Sequence, residues 1–185
     1  MNGFADLSKK TLQLKEAFEA GDLIKLRLLS NDCIEKAALK QSKELVQLSL
    51  IAYSLSKILS KEHIICNINW PEARKRILED IDFALTALEK NDLKAFNNSL
   101  NDISGHITGI DKQLGNFVID LMEKARLKQA SRVYAFGLSL KAAVELTGTQ
   151  EQELLKYIGG TRLADERIEK KGINDRLKDL KKILK

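Results

Sequence analysis

Residues 17–32 read AFEAGDLIKLRLLSND. Gly21 and Asp22 interrupt a run of good helix formers. The break is a Gly-Asp turn ahead of an amphipathic helix. Upstream, Leu7, Leu12, Leu14 and Phe18 mark a helix from about Asp6 to Ala20. Downstream, a long helical stretch is expected from Leu23 to about Leu59. Its second part carries Leu45, Leu48, Ala52, Leu55 and Leu59 at spacings of three and four, which is the helical period. Ser49, Ala52 and Ser56 are small enough to let another helix come close. One proline, ten glycines and few β-branched runs favour helix over sheet throughout. Aromatic residues make up only 5% of the chain, so the core should be aliphatic. The expected fold class is all-α, a helical bundle or helical-hairpin scaffold.

The same pattern returns 70 residues later, where residues 87–102 read ALEKNDLKAFNNSLND. Ala, Glu, Asp, Leu, Asn and Asp recur at matching places. Seventy is close to twice the tetratricopeptide period of about 34 residues. The stretch from Gly21 to Lys40 resembles the second half of such a repeat, which implies stacked helical hairpins. The stretch lacks the repeat's aromatic and terminal proline positions, and two similar helix-turn-helix connections in an ordinary bundle are the plainer account of the echo.

Between the two echoes, residues 62–76, EHIICNINWPEARKR, form the clearest break. Pro71 suits only the first turn of a helix, and Asn69 is a good capping type, so a helix should start near Pro71. It runs to about Lys90 through Ile77, Ile81, Leu85 and Leu88. From Asp92 onward, Ile103, Ile107, Ile110, Leu114, Phe117 and Leu121 form a heptad seam suited to a partner helix at a shallow angle. Gly105, Gly109 and Gly115 sit inside it. Each costs about 1 kcal/mol against alanine, so either the helix breaks there or a neighbouring backbone comes very close. The helix is then expected to continue to Gly137.

Residues 137–159 read GLSLKAAVELTGTQEQELLKYIG. Ala142 and Ala143 would permit a close helix crossing. Gly148 stands where a turn needs positive φ. Leu146, Leu154, Tyr157 and Ile158 could clamp two helices, and Thr149 with Gln152 would form a capping box. From Ser139 to Ile158 the segment resembles the helix-turn-helix of small DNA-binding and antitoxin-type regulators. That resemblance implies a second helix whose first turn enters the major groove. Gln150, Gln152 and Lys156 are then the candidates for base or groove contact. Glu151 and Glu153 share that turn. They offset the helix macrodipole but repel phosphates, which moves phosphate contact to the flanks. The flanking candidates are Lys124, Arg126, Lys128, Arg132 and Arg162. A helical corner that packs or dimerises is the alternative use of the segment.

Residues 161–185 hold nine Lys/Arg and five Asp/Glu, so most of the net charge of +5 lies there and the rest of the chain is nearly neutral. Ile173, Leu177, Leu180 and Leu184 make this end a basic amphipathic helix. The expected organisation is a helical scaffold over residues 1–116 and a helix-turn-helix module with its basic C-terminal helix over residues 117–185. No run of eighteen apolar residues occurs and no signal peptide is evident, so the expectation is a cytoplasmic protein with no membrane contact. Catalytic and metal-binding patterns are poor. His63 and Cys66 are three residues apart but lack further ligands, Cys33 does not complete the set, and His106 lies on the seam helix. No cofactor is expected. The reading is a non-enzymatic regulatory or adaptor protein. Its expected partners are nucleic acid through the basic flanks, another protein, or a second copy of the chain. A module for protein–protein interaction alone, with a purely structural helix-turn-helix, is the alternative.

Overall fold

A computed structural model describes residues 3–113 and 121–160. Among the described residues the chain is all-α and contains no strand. The helices are α1 Gly3–Glu19, α2 Leu23–Lys40, α3 Lys43–Leu59, α4 Glu62–Ile65, α5 Trp70–Glu89, α6 Leu93–Gln113, α7 Leu121–Ala135, α8 Leu140–Thr147 and α9 Glu151–Gly160. Leu114, Phe117, the 116/117 division, Arg162 and the basic C-terminal helix lie outside the described residues. No described helix is long and apolar enough to cross a membrane.

The two turns at the 70-residue offset are built alike. In the first, Gly21 N–H donates to the Phe18 carbonyl (3.1 Å) and Asp22 N–H to that of Ala17 (2.9 Å). In the second, Asn91 donates to Leu88 (3.1 Å) and Asp92 to Ala87 (2.9 Å). These crossed bonds satisfy the last carbonyls of α1 and α5 and require a left-handed residue, which Gly21 (φ 65°) and Asn91 (φ 55°) supply. The following aspartate then caps the next helix. Asp22 Oδ1 accepts from Ile24 and Lys25 N–H (3.1 and 2.9 Å), and Asp92 Oδ1 accepts from Ala95 N–H (2.9 Å).

The expected helix from Leu23 to Leu59 is two helices. Gln41 turns the chain with φ 52°, and Ser42 Oγ accepts from Leu45 N–H (3.3 Å) to start α3. No glycine or proline marks this turn. Asparagine and glycine occupy left-handed positions routinely, whereas glutamine does so only when packing on both sides demands it. The demand is the α2–α3 contact, the most extensive between any two of the described helices. At its centre Ser30 Oγ donates to the Ser49 carbonyl (2.9 Å), and Ser49 Oγ donates to the Ser30 carbonyl (2.8 Å). Gln129 of α7, fully buried, adds Nε2–H to Ser30 Oγ at 2.9 Å. Its Oε1 is buried without a hydrogen-bond partner. The close approach expected at Ser49 is therefore made by α2.

Around this polar node the core is aliphatic. Leu14, Leu26, Ile34, Leu48, Ile51 and Leu55 are fully buried, and Phe18 meets Trp70 edge-on with ring centroids 6.2 Å apart. Cys33 is buried in it, where burial pushes its thiol up to about 12. The heptad seam packs on α5: Ile103, Ile107 and Ile110 are buried together with Ile77, Ile81 and Leu88. Pro71 occupies the first turn of α5 as expected. Asn69 precedes it but makes no side-chain cap bond: its backbone (φ −87°, ψ −8°) is helical rather than the extended form a cap needs, and its N–H donates to Asn67 Oδ1 (2.9 Å).

Two further expectations are corrected. α6 runs unbroken through Gly105 and Gly109, and a Cβ at either would meet no atom within 4 Å. Neither an interruption nor a close backbone explains them. Both instead border a cavity of about 300 Å³ between α5 and α6. At the other end of the chain, α9 starts at Glu151 with Leu154 N–H donating to the Gln150 carbonyl (3.0 Å). The cap position is thus Gln150, and the Thr149–Gln152 box does not form. Gly148 takes the expected left-handed turn (φ 70°), and Ser139 Oγ caps α8 through Ala142 N–H (3.1 Å).

Replacing Gly105 or Gly109 with alanine should raise unfolding stability by up to about 1 kcal/mol each, since helix propensity is gained with no clash. Denaturant titration checks this. Ser30→Ala should cost about 1–3 kcal/mol by leaving the Gln129 amide with no partner at all. Adding Gln129→Leu should recover most of that loss, since it removes the orphaned amide.

Candidate functional site

Three helices each present a pair of residues four apart, and so on one face. α2 offers Arg27 and Asn31, α3 offers Tyr53 and Lys57, and α7 offers Lys128 and Arg132. The pairs meet. Lys128 Nζ lies 4.8 Å from the Tyr53 ring centroid, and Lys57 Nζ lies 5.6 Å from it. The Arg132 guanidinium donates to Asn31 Oδ1. Tyr157 of α9 completes the surroundings of Tyr53, whose phenol is pushed up by burial and by Tyr157 against the pull of Arg27 and Arg132. Lys128 is half-buried. Burial, then Arg132, Lys57 and Arg27, hold its ammonium below the ordinary lysine range.

Among the described residues, no carboxylate forms an ion pair with Arg27, Lys57, Lys128 or Arg132. The α1–α2 face is the contrast. There Lys10 meets Asp32 at 2.5 Å, Lys40 meets Asp6 at 2.7 Å, and Lys36 lies 3.4 Å from both acids. Lys40's hydrogen bond holds Asp6 below the usual carboxylate range. Asp32 is also lowered, with burial opposing and Lys10 and Lys36 outweighing it. One side of α2 is therefore neutralised and the other is not. An uncompensated cluster of one sign is a field that gathers anions, and the aromatic ring within it supplies a face for two of the cations.

Of the residues expected from the sequence, Lys128 and Arg132 enter this cluster. Lys124 lies on the same side of α7 and is exposed, while Arg126 is half-buried on a different side of the helix. Gln150, Gln152 and Lys156 are exposed on and just before α9, with Glu151 and Glu153 exposed beside them. Arg27, Lys57 and Tyr53 were not legible as site residues. Tyr53 and Lys57 carry a four-residue spacing, but Asn31 and Arg132 are 101 residues apart and no local pattern joins them.

A second polar group lies between α5 and α6. His106 Nε2 approaches Asp80 Oδ2 at 3.1 Å, and Arg76 meets Glu72 at 3.2 Å beside the glycine-bordered cavity. Burial raises the Asp80 carboxyl, and the His106 charge opposes that rise. His106 thus has an acid partner across the α5–α6 contact. No cluster of three or more metal-ligating side chains occurs among the described residues.

Comparison with protein-family models, curated proteins and solved structures returned no match.

The cluster's cost can be measured. A base held below its ordinary 10.5 destabilises the fold while it is charged, and the penalty disappears as pH rises past 10.5. Lys128→Met should therefore raise the thermal midpoint at pH 7, with the gain shrinking as the pH rises from the lowered folded value toward 10.5 and gone above it. Thermal melts of both proteins across that range check the sign.

Proposed function

We propose that this chain is a non-enzymatic regulatory or adaptor protein that binds nucleic acid through the α2–α3–α7 cation cluster. α8 and α9 act beside the cluster as a helix-turn-helix module. The observation that carries this reading is the set of four cations from three helices with no described carboxylate against them. Phosphate contacts fall to Arg27, Lys57, Lys128 and Arg132, with Lys124 extending the same side of α7. Tyr157 links α9 to the cluster, so a backbone seated there runs past α9. Gln150, Gln152 and Lys156 then reach toward the groove, while Glu151 and Glu153 limit how closely the first turn can approach phosphates. Arg126 serves a separate contact or none.

A protein partner is the second reading. Ile24 and Leu28 stand on α2 one turn apart, 70% and 61% exposed, and Phe83 of α5 is 65% exposed. Apolar side chains at helical spacing suit a partner helix.

Titration of labelled duplex DNA and single-stranded RNA at several salt concentrations tests the first reading. Affinity should fall steeply and linearly with log salt. Replacing Arg27, Lys57, Lys128 and Arg132 together by glutamine should flatten that slope by about 3.6 on the duplex and about 2.8 on the single strand, one counterion contact per lost cation. Absence of binding at low salt, or a slope untouched by the fourfold variant, would sink it.

A further inference from the structure

Lys128 combines three features. It is half-buried, its ammonium sits 4.8 Å from the centre of the Tyr53 ring, and Arg132, Lys57 and Arg27 surround it. Lys10, Lys15, Lys25, Lys36, Lys40, Lys75 and Lys141, by contrast, each hold a carboxylate partner. Burial and the three neighbouring cations make this amine give up its proton more readily than an ordinary lysine, against the Tyr53 ring, which favours the ammonium, and the free amine is the nucleophile. The same cations that disfavour its proton draw in an anionic reagent.

We propose that Lys128 is an acylation site whose donor is an acyl phosphate, with the phosphoryl group seated against Arg27, Lys57 and Arg132 and the acyl carbon delivered to Lys128 Nζ. The Nζ lone pair forms the new C–N bond, and the C–O bond to the phosphate breaks. Inorganic phosphate leaves with that electron pair among the remaining cations, and the surplus proton on nitrogen passes to water. The step needs no oxidant or reductant. Its product is a neutral amide, so the cluster loses one charge. The regulatory consequence rests on the nucleic-acid reading above: the acylated chain binds nucleic acid more weakly. The acylation itself does not rest on that reading.

Acetyl phosphate is the probe. The full chain is incubated with it near neutral pH, and initial rates at Lys128, Lys124 and Lys141 are read by peptide mass spectrometry. Lys128 should be acetylated at least about tenfold faster than Lys124, the lower end of what a focused field gives a charged reactant. Inorganic phosphate should suppress Lys128 selectively, and Arg27→Gln with Arg132→Gln should bring its rate to that of Lys124. The phosphate competition uses the unaltered chain, so it decides even if the double variant misfolds. A Lys128 rate no greater than that of Lys124, or one indifferent to phosphate, overturns the proposal. Fast acetylation in a chain that binds neither DNA nor RNA upholds the acylation site and overturns the nucleic-acid reading. Slow acetylation with salt-dependent binding does the reverse.

Discussion

Ser30 and Ser49 donate to each other's carbonyls across the α2–α3 contact, and Gln129 of α7 reaches in to join them. Much else follows from this contact. Two serines in place of larger residues let the α2 and α3 backbones draw together, and that closeness makes a left-handed Gln41 tolerable. A buried amide also has little freedom to turn, because leaving it unpaired costs about 1–3 kcal/mol. Gln129 therefore fixes which side of α7 faces inward. With about 100° between successive residues, Lys128 and Arg132 then fall together on one flank, and Arg126 falls on the other. The node that holds three helices together thus also aims two cations at Tyr53 and Asn31.

The same helix α2 carries two electrostatic regimes. Toward α1, Asp6 and Asp32 neutralise Lys10, Lys36 and Lys40. Those bridges tie the N-terminal helix to the bundle through partly buried acids, and they matter most above the pH at which the acids protonate. Toward α7, Arg27 joins three other cations with no described acid against them. A fold selected for stability alone would place a carboxylate there, as it does elsewhere on the chain. The uncompensated side is where the molecule gives up stability, which is what makes it the candidate for work on an anion.

The glycines of α6 show how a sound premise reached the wrong conclusion. Their cost in a helix is real, and a break or a close neighbour is the usual explanation. The structure offers neither, only open space beside His106 and the Glu72–Arg76 pair. Thr149 shows the same at a helix end. Its residue type suits a cap, yet α9 begins one residue later because Gln150 supplies the first helical carbonyl. Residue type narrows the choices at such positions, and packing selects among them.

The sequence by itself determined the helical class, the Gly21, Asn91 and Gly148 turns, the Pro71 helix start and the Ile103, Ile107 and Ile110 part of the seam. Each is written in residues within a few positions of one another, where backbone preference and helical period act directly. It also offered Lys128 and Arg132 as candidates for phosphate contact, because they stand with Lys124 and Arg126 on the helix that precedes the Ser139–Ile158 segment. Only the tertiary structure decided that Arg27, Lys57 and Tyr53 share one cluster with them and that Arg126 does not. That grouping depends on how three helices, up to a hundred residues apart in the chain, rotate to bury one glutamine between two serines.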